Sequence, residues 1–127
     1  KVCYMASKPK SAKGKYKRRG DIWALVTHRP NEKSNNVVSI ITGYPYKENS
    51  EVNIAIGSSK FIMFTVGQRA WNRDEKSDEI MVRSMIRGAS MIVKGTSQRG
   101  TLTTDSYSLN GFTAAHRIIS QACKVNK

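Results

Sequence analysis

The sequence is poor in acidic side chains, in cysteine and in long apolar runs. It contains 9 aspartates and glutamates against 22 lysines and arginines, which gives a formal net charge of +13. No apolar run approaches the roughly 18 residues that a membrane-spanning helix needs, so the sequence predicts no membrane span. With 127 residues and 39% hydrophobic side chains, the composition predicts one folded domain over residues 1–127. It excludes a collagen and a large multidomain enzyme.

The two cysteines, Cys3 and Cys123, lie near opposite ends of the chain. A disulfide between them would enclose almost the whole chain and stabilise the fold by restricting the unfolded state. It would also indicate an oxidising compartment, such as a periplasm or the cell exterior. Two free buried thiols in a cytosolic protein are the alternative. Because the cysteines form no CxxC pair and only His28 and His116 could join them, we predict neither a metal site nor thiol catalysis.

Short apolar and alternating segments predict a mainly β domain. The clearest alternation places Val52, Ile54 and Ile56 on one side of a half-buried strand. Residues 77–88 and 110–124 have helical periodicity instead, which predicts one internal helix and one C-terminal helix. Further strands are predicted at residues 2–6, 22–27, 37–41, 61–66 and 91–93 and around Tyr107. Several short strands at this spacing favour a β-sandwich or a barrel.

Residues 8–19 form a basic segment that contains no acidic side chain. We predict a long exposed loop whose cations bind an anionic partner, because lysine and arginine attract polyanions electrostatically. The predicted partner-binding residues are Lys8, Lys10, Lys13, Lys15, Lys17, Arg18 and Arg19. A solvated loop whose charge only maintains solubility is the alternative. Nucleic acid is disfavoured as the partner because no RNA-recognition or cold-shock aromatic motif surrounds the segment.

No segment carries a complete catalytic motif. Arg99 stands where a nucleophile elbow around Ser97 needs glycine. Thr101 stands where a P-loop needs lysine. We therefore interpret residues 95–100 as a polar turn whose backbone amides are able to hold an anion. The acids of residues 74–79 are interpreted as favourable charges at the start of a helix. The sequence predicts a protein that is not an enzyme and needs no cofactor.

Several segments, taken in order along the chain, together carry a resemblance to a known family. They are Cys3-Tyr4, Ser7-Lys8-Pro9, Arg19-Gly20-Asp21, Val26-Thr27-His28-Arg29-Pro30, Gly43-Tyr44-Pro45, Ala70-Trp71, Lys94-Gly95-Thr96-Ser97, Arg99-Gly100, Asp105, Tyr107-Ser108-Leu109, Gly111-Phe112, Ala114-Ala115 and Cys123. These segments cover nearly the whole chain and resemble the invasion-associated locus B family of bacterial exported proteins.

The resemblance implies an immunoglobulin-like β-sandwich and a location in the periplasm, at the outer membrane or on the cell surface. It also implies an association with invasion of host cells, including erythrocytes. Members usually carry a signal peptide and an additional strand before the first cysteine, so we expect the N-terminal part of the domain to be truncated here. Our leading hypothesis is a non-enzymatic exported protein that presents a basic loop to an anionic envelope or host component. A soluble nucleic-acid-binding β-domain is the alternative.

Overall fold

A computed structural model of the chain describes residues 1–16 and 18–125. Within these residues the chain forms nine strands and two α-helices. The strands are β1 (Cys3–Ser7), β2 (Ser11–Gly14), β3 (Trp23–Arg29), β4 (Ser34–Ile41), β5 (Glu51–Ile56), β6 (Ser59–Val66), β7 (Arg69–Trp71), β8 (Ser90–Thr96) and β9 (Leu102–Ser108). The helices are α1 (Glu75–Arg87) and α2 (Phe112–Ala122), and a 3-10 turn spans Pro30–Glu32. The predicted mainly β architecture, with one internal and one C-terminal helix, is confirmed.

The strands form one antiparallel sheet in the order β1-β3-β4-β7-β6-β5-β8-β9-β2. The consecutive strands β1 and β2 therefore lie at opposite edges of this sheet. Only residues 8–10 connect them, and a fully extended connection from Ser7 to Ser11 reaches about 14 Å. The sheet must consequently curl until its two edges almost meet, and it resembles an incompletely closed barrel.

The concave side of the curled sheet carries the core. On β5 the predicted inward residues Val52, Ile54 and Ile56 are all buried, which confirms the alternation that the sequence indicated. Met63 of β6 and Met91 of β8 fill the space next to them. The helix α1 adds a buried stripe of Met81, Val82 and Met85 and packs against β4, so it closes one side of the curl.

The first and last elements are joined covalently. Cys3 of β1 and Cys123, just after α2, form a disulfide with an S–S distance of 2.08 Å and a Cα–Cα distance of 6.1 Å. Of the two alternatives that the sequence left open, the disulfide is therefore the one observed. Because α2 lies against β1 and β3, the bond fastens the C-terminal helix to the edge of the sheet where the chain begins.

Candidate functional site

The basic segment includes a strand at the edge of the sheet. Residues Ser11–Gly14 form β2, whose Ser11 is paired with Ser106 and whose Gly14 is paired with Thr103 of β9. The prediction of an unbroken loop over residues 8–19 is wrong at this strand. Sequence patterns missed it because its small and basic side chains carry no apolar alternation. A lysine on a short edge strand, as Lys13 is here, is a common way of preventing further strands from pairing with a sheet.

Five of the predicted partner-binding cations are exposed in the structure, namely Lys8, Lys10, Lys13, Lys15 and Arg18. Lys17 lies outside the described residues. The ammonium group of Lys8 lies 5.1 Å from the ring centroid of Trp23, within the range of a cation–π contact. The segment is thus held by its main chain while most of its charge faces solvent.

Arg19 is the exception, since its side chain is only 3% exposed. Its Nη1 and Nη2 atoms donate to the two carboxylate oxygens of Asp105 over 2.8 and 2.6 Å. Its Nε atom donates to the carbonyl of Thr42 over 2.8 Å, and Nη2 also donates to the Thr42 hydroxyl over 3.0 Å. A guanidinium that is engaged in this way is not available to an external partner, and we leave Arg19 out of the partner-binding surface.

Two tyrosine rings enclose the Arg19 guanidinium. Its Cζ atom lies 5.2 Å from the ring centroid of Tyr16 and 4.9 Å from that of Tyr44. Burial by itself would lower the pKa of Arg19, but hydrogen bonding to Asp105 and Tyr16 and the charge of Asp105 together outweigh it, and the pKa is raised above its ordinary value. Arg19 therefore remains a cation at every physiological pH. It ties the basic segment to β9.

A close approach of two glycines fixes the next turn of the chain. The amide of Gly20 donates to the carbonyl of Gly43 over 2.8 Å. Gly43 has a φ of +84°, and a Cβ at that position would lie 2.5 Å from the carbonyl oxygen of Gly20. Only glycine fits such a contact without strain. The two backbones therefore hold Arg19 beside its Thr42 partner.

A groove of about 640 Å³ opens next to this contact. Among the described residues that line it, Lys15, Arg18 and Arg99 are cationic and none is acidic. Its wall includes Tyr44, whose hydroxyl lies 2.6 Å from that of Thr103 in a buried hydrogen bond. The groove therefore brings Arg99 close to the basic segment. The sequence did not indicate this proximity, because Arg99 is more than 80 residues away from Lys15 and Arg18 along the chain.

The turn that carries Arg99 is fixed by hydrogen bonds that its backbone amides donate. The amide of Gln98 donates to the carbonyl of Pro45 over 2.8 Å, and the amide of Thr101 donates to the hydroxyl of Ser97 over 3.0 Å. Residues 97–100 form a polar turn, as we interpreted them, whereas Gly95 and Thr96 belong to β8. The turn also forms one side of the basic groove, and it places Arg99 in the groove lining.

Sequence reasoning also missed a cation on the outer face of the sheet. Lys13 is paired with Thr104, and Thr104 is paired with Lys94. Residues that are directly opposite in neighbouring strands point to the same side, and Lys13 and Lys94 stand two strand spacings apart, about 10 Å. Both side chains are exposed. We use the name basic face for these two lysines together with the exposed Lys10, which precedes β2 and whose amide donates to the carbonyl of Ser106. Only strand pairing could have identified Lys94.

The two histidines lie in the interior and not in a reaction site. His28 is fully buried, and its Nδ1 atom accepts a hydrogen bond from the amide of Asn36 over 3.0 Å. Its Nε2 atom lies 3.1 Å from the hydroxyl of Ser120, to which it must donate because Nδ1 is the acceptor. His116 contacts Asn36 Oδ1 over 2.7 Å. Burial lowers the pKa of His28, so the folded protein favours the neutral form of this side chain.

The described residues contain no group of three or more His, Cys, Asp or Glu side chains arranged to hold a metal ion. Within the same residues, no helix is both long and apolar enough to cross a membrane.

The fold and the site thus define a small disulfide-bonded, mainly β protein with a basic groove at one end of its sheet. Residues 1–120 match the family model described as Invasion associated locus B (IalB) protein. The match spans essentially the whole chain, and the protein belongs to this family. The family is bacterial and is not known as an enzyme family. No curated protein and no solved structure is significantly similar to the chain.

Proposed function

We propose that the protein is a non-enzymatic exported factor that binds an anionic component of the bacterial envelope or of a host cell. The invasion that gives the family its name supports a role at a host surface such as that of the erythrocyte. The Cys3–Cys123 disulfide supports a location in the periplasm, at the outer membrane or on the cell surface, since such bonds persist in oxidising compartments.

One observation carries the binding part of this proposal. The main chain of the basic segment is paired with β9, yet Lys10 and Lys13 remain exposed and Lys94 extends the same charge onto β8. Cations held on a rigid strand lose less conformational entropy on binding than cations on a free loop. A charge that served only solubility would not need to be organised in this way.

The test compares two variants of equal net charge on heparin-agarose. The face variant K10Q/K13Q/K94Q neutralises the basic face. The control variant K33Q/K60Q/K76Q neutralises three exposed lysines elsewhere. We expect the face variant to elute at clearly lower salt than the wild type, and the control variant to elute close to the wild type. Equal elution of the two variants would show that only net charge matters, and would overturn the proposal.

The role in invasion needs a cellular readout. Host cells are exposed to bacteria in which the face variant or the control variant replaces the wild-type protein. We expect the face variant alone to reduce invasion, at equal amounts of exported protein. Equal invasion by the two strains would show that the basic face is not needed for invasion, and would overturn this part of the proposal.

A further inference from the structure

The basic groove has the properties of a discrete binding site as well as those of a charged surface. Its volume of about 640 Å³ lies within the range of small-molecule sites. Lys15, Arg18 and Arg99 come from two segments that are more than 80 residues apart in the sequence, and both segments are fixed by hydrogen bonds to the rest of the fold. A cavity that is held from both sides is organised before a ligand arrives.

The charge in the groove is not compensated by the protein. Among the described residues, none of the three cations has a carboxylate within ion-pair distance. The buried carboxylate of Asp105 is fully engaged by Arg19. Like charges in a concave site repel one another and raise the local potential. An anion is the ligand that removes this repulsion.

The kind of anion follows from the donors. Guanidinium groups present a planar fork of N–H donors that matches the oxygens of phosphate and sulfate groups. Two guanidinium groups and one ammonium suit a group with two negative charges or several acceptor oxygens. The groove is much larger than such a group alone, so the remainder of the ligand must occupy space as well.

The remaining lining suits a sugar. Ser97, Gln98 and Thr101 supply hydroxyl and amide groups that are able to bond to ring hydroxyls, and Tyr16 and Pro45 supply flat apolar surface. We propose that the groove binds a sugar that carries a phosphate or sulfate monoester. This inference goes beyond the proposed function, since it concerns the groove and not the basic face, and it places Arg99 and Arg18 in contact with the ester group.

The test uses glucose 6-phosphate, glucose 6-sulfate, inorganic phosphate and unmodified glucose as probes. Binding is followed by calorimetry and by the amide resonances of residues 97–101. We expect saturable binding of both esters, weaker binding of inorganic phosphate and none of glucose. In R99Q and R18Q the dissociation constant for the esters should rise about tenfold, since each variant removes a charge-assisted hydrogen bond. The control R87Q removes an exposed arginine on α1, outside the groove, and should bind like the wild type.

The outcomes separate this inference from the proposed function. If no ester binds, or if R99Q binds as the wild type does, the groove inference is overturned, whatever the heparin result. If the esters bind through Arg99 while the face and control variants elute alike from heparin, the groove stands and the polyanion-binding proposal fails. The face variant K10Q/K13Q/K94Q should bind glucose 6-phosphate within about twofold of the wild type. A loss as large as that of R99Q would contradict a discrete site.

Discussion

Arg19 and Asp105 form a bidentate ion pair in the interior although 86 residues separate them in the sequence. The two side chains are 3% and 1% exposed. Breaking one partner of a buried pair leaves an uncompensated charge, which costs more than the pair itself contributes. The pair therefore controls whether the basic segment can stay in place.

We expect Asp105→Asn to lower the free energy of unfolding by about 3–5 kcal/mol, because the Arg19 charge would remain buried without its carboxylate. Urea unfolding measures the change. Glu79→Gln is the control, since it breaks an exposed pair with Arg83 at 4.0 Å and should change stability little. The double substitution R19M/D105L should recover much of the loss. Equal effects of D105N and E79Q would contradict a structural role for the buried pair.

Gly43 should tolerate no side chain. Gly43→Ala combines a left-handed backbone with a Cβ placed 2.5 Å from the Gly20 carbonyl, so we expect a loss of about 2 kcal/mol or more. Gly67→Ala is a matched control, because Gly67 has a φ of +61° but nothing lies within 4 Å of the added Cβ. It should cost about 1 kcal/mol. If chemical denaturation showed equal losses for both variants, the close approach of Gly20 and Gly43 would not matter.

The disulfide should contribute a large part of the stability. Cys3 and Cys123 are 120 residues apart in the sequence, and closing so long a loop is worth about 4–5 kcal/mol in the chain-entropy model. We expect C3A/C123A to unfold at markedly lower urea, and a reductant to lower the midpoint of the wild type but not that of the variant. A thiol assay on native, unreduced protein should detect no reactive thiol. Two titrating thiols would contradict the bond.

Stability should also fall at mildly acidic pH because of His28. Its pKa is lowered by burial in the folded state, so the unfolded chain binds a proton more readily. The contribution of His28 is therefore complete above the ordinary value of about 6.5 and is lost as the pH falls below it. Protonation would also remove the acceptor that Nδ1 offers to the Asn36 amide.

The measurement compares urea unfolding of the wild type and His28→Gln between pH 4.5 and 7.5. Asp78 acts in the opposite sense, since burial raises the pKa of its carboxyl and favours the protonated form in the fold. The Asp78 contribution is common to both proteins and cancels in the difference between them. The wild type should gain stability with rising pH more steeply than the variant. Parallel curves would show that His28 does not titrate on unfolding.

Sequence patterns predicted the elements whose side chains divide into buried and exposed sets. The alternation around Ile54 and the periodicity around Met85 identified β5 and α1, although α1 begins at Glu75 and not at residue 77. The start was missed because Asp74, whose carboxylate accepts from the Ser77 amide over 2.8 Å, is the cap. An N-cap is defined by its backbone geometry, and several polar residues in a row are equally able to supply it.

The site was less predictable than the fold. Lys13 and Arg18 were identified from local charge, but a run of cations does not indicate which member turns inward, and Arg19 does so. Arg99 and Lys94 join the site through strand pairing and a turn, and these are long-range contacts that no local pattern encodes. The partner of Arg19 is a single aspartate within a strand, a position where acidic residues are rare. That rarity was the one signal that could have pointed to it.

The placement of β2 beside β9 sets an order of events during synthesis. β1 pairs with β3 and β3 pairs with β4, so the sheet can begin to form once β4, which ends at Ile41, has been made. β2 has no strand partner until Ser106, which pairs with Ser11, has been made. Until then this strand is unpaired, and the exposed lysines on and beside it, Lys10, Lys13 and Lys15, disfavour its pairing with other chains. The surface that we propose for binding is therefore completed among the last steps of folding, so a chain that is cut short before β9 would lack both its closed sheet and its binding groove.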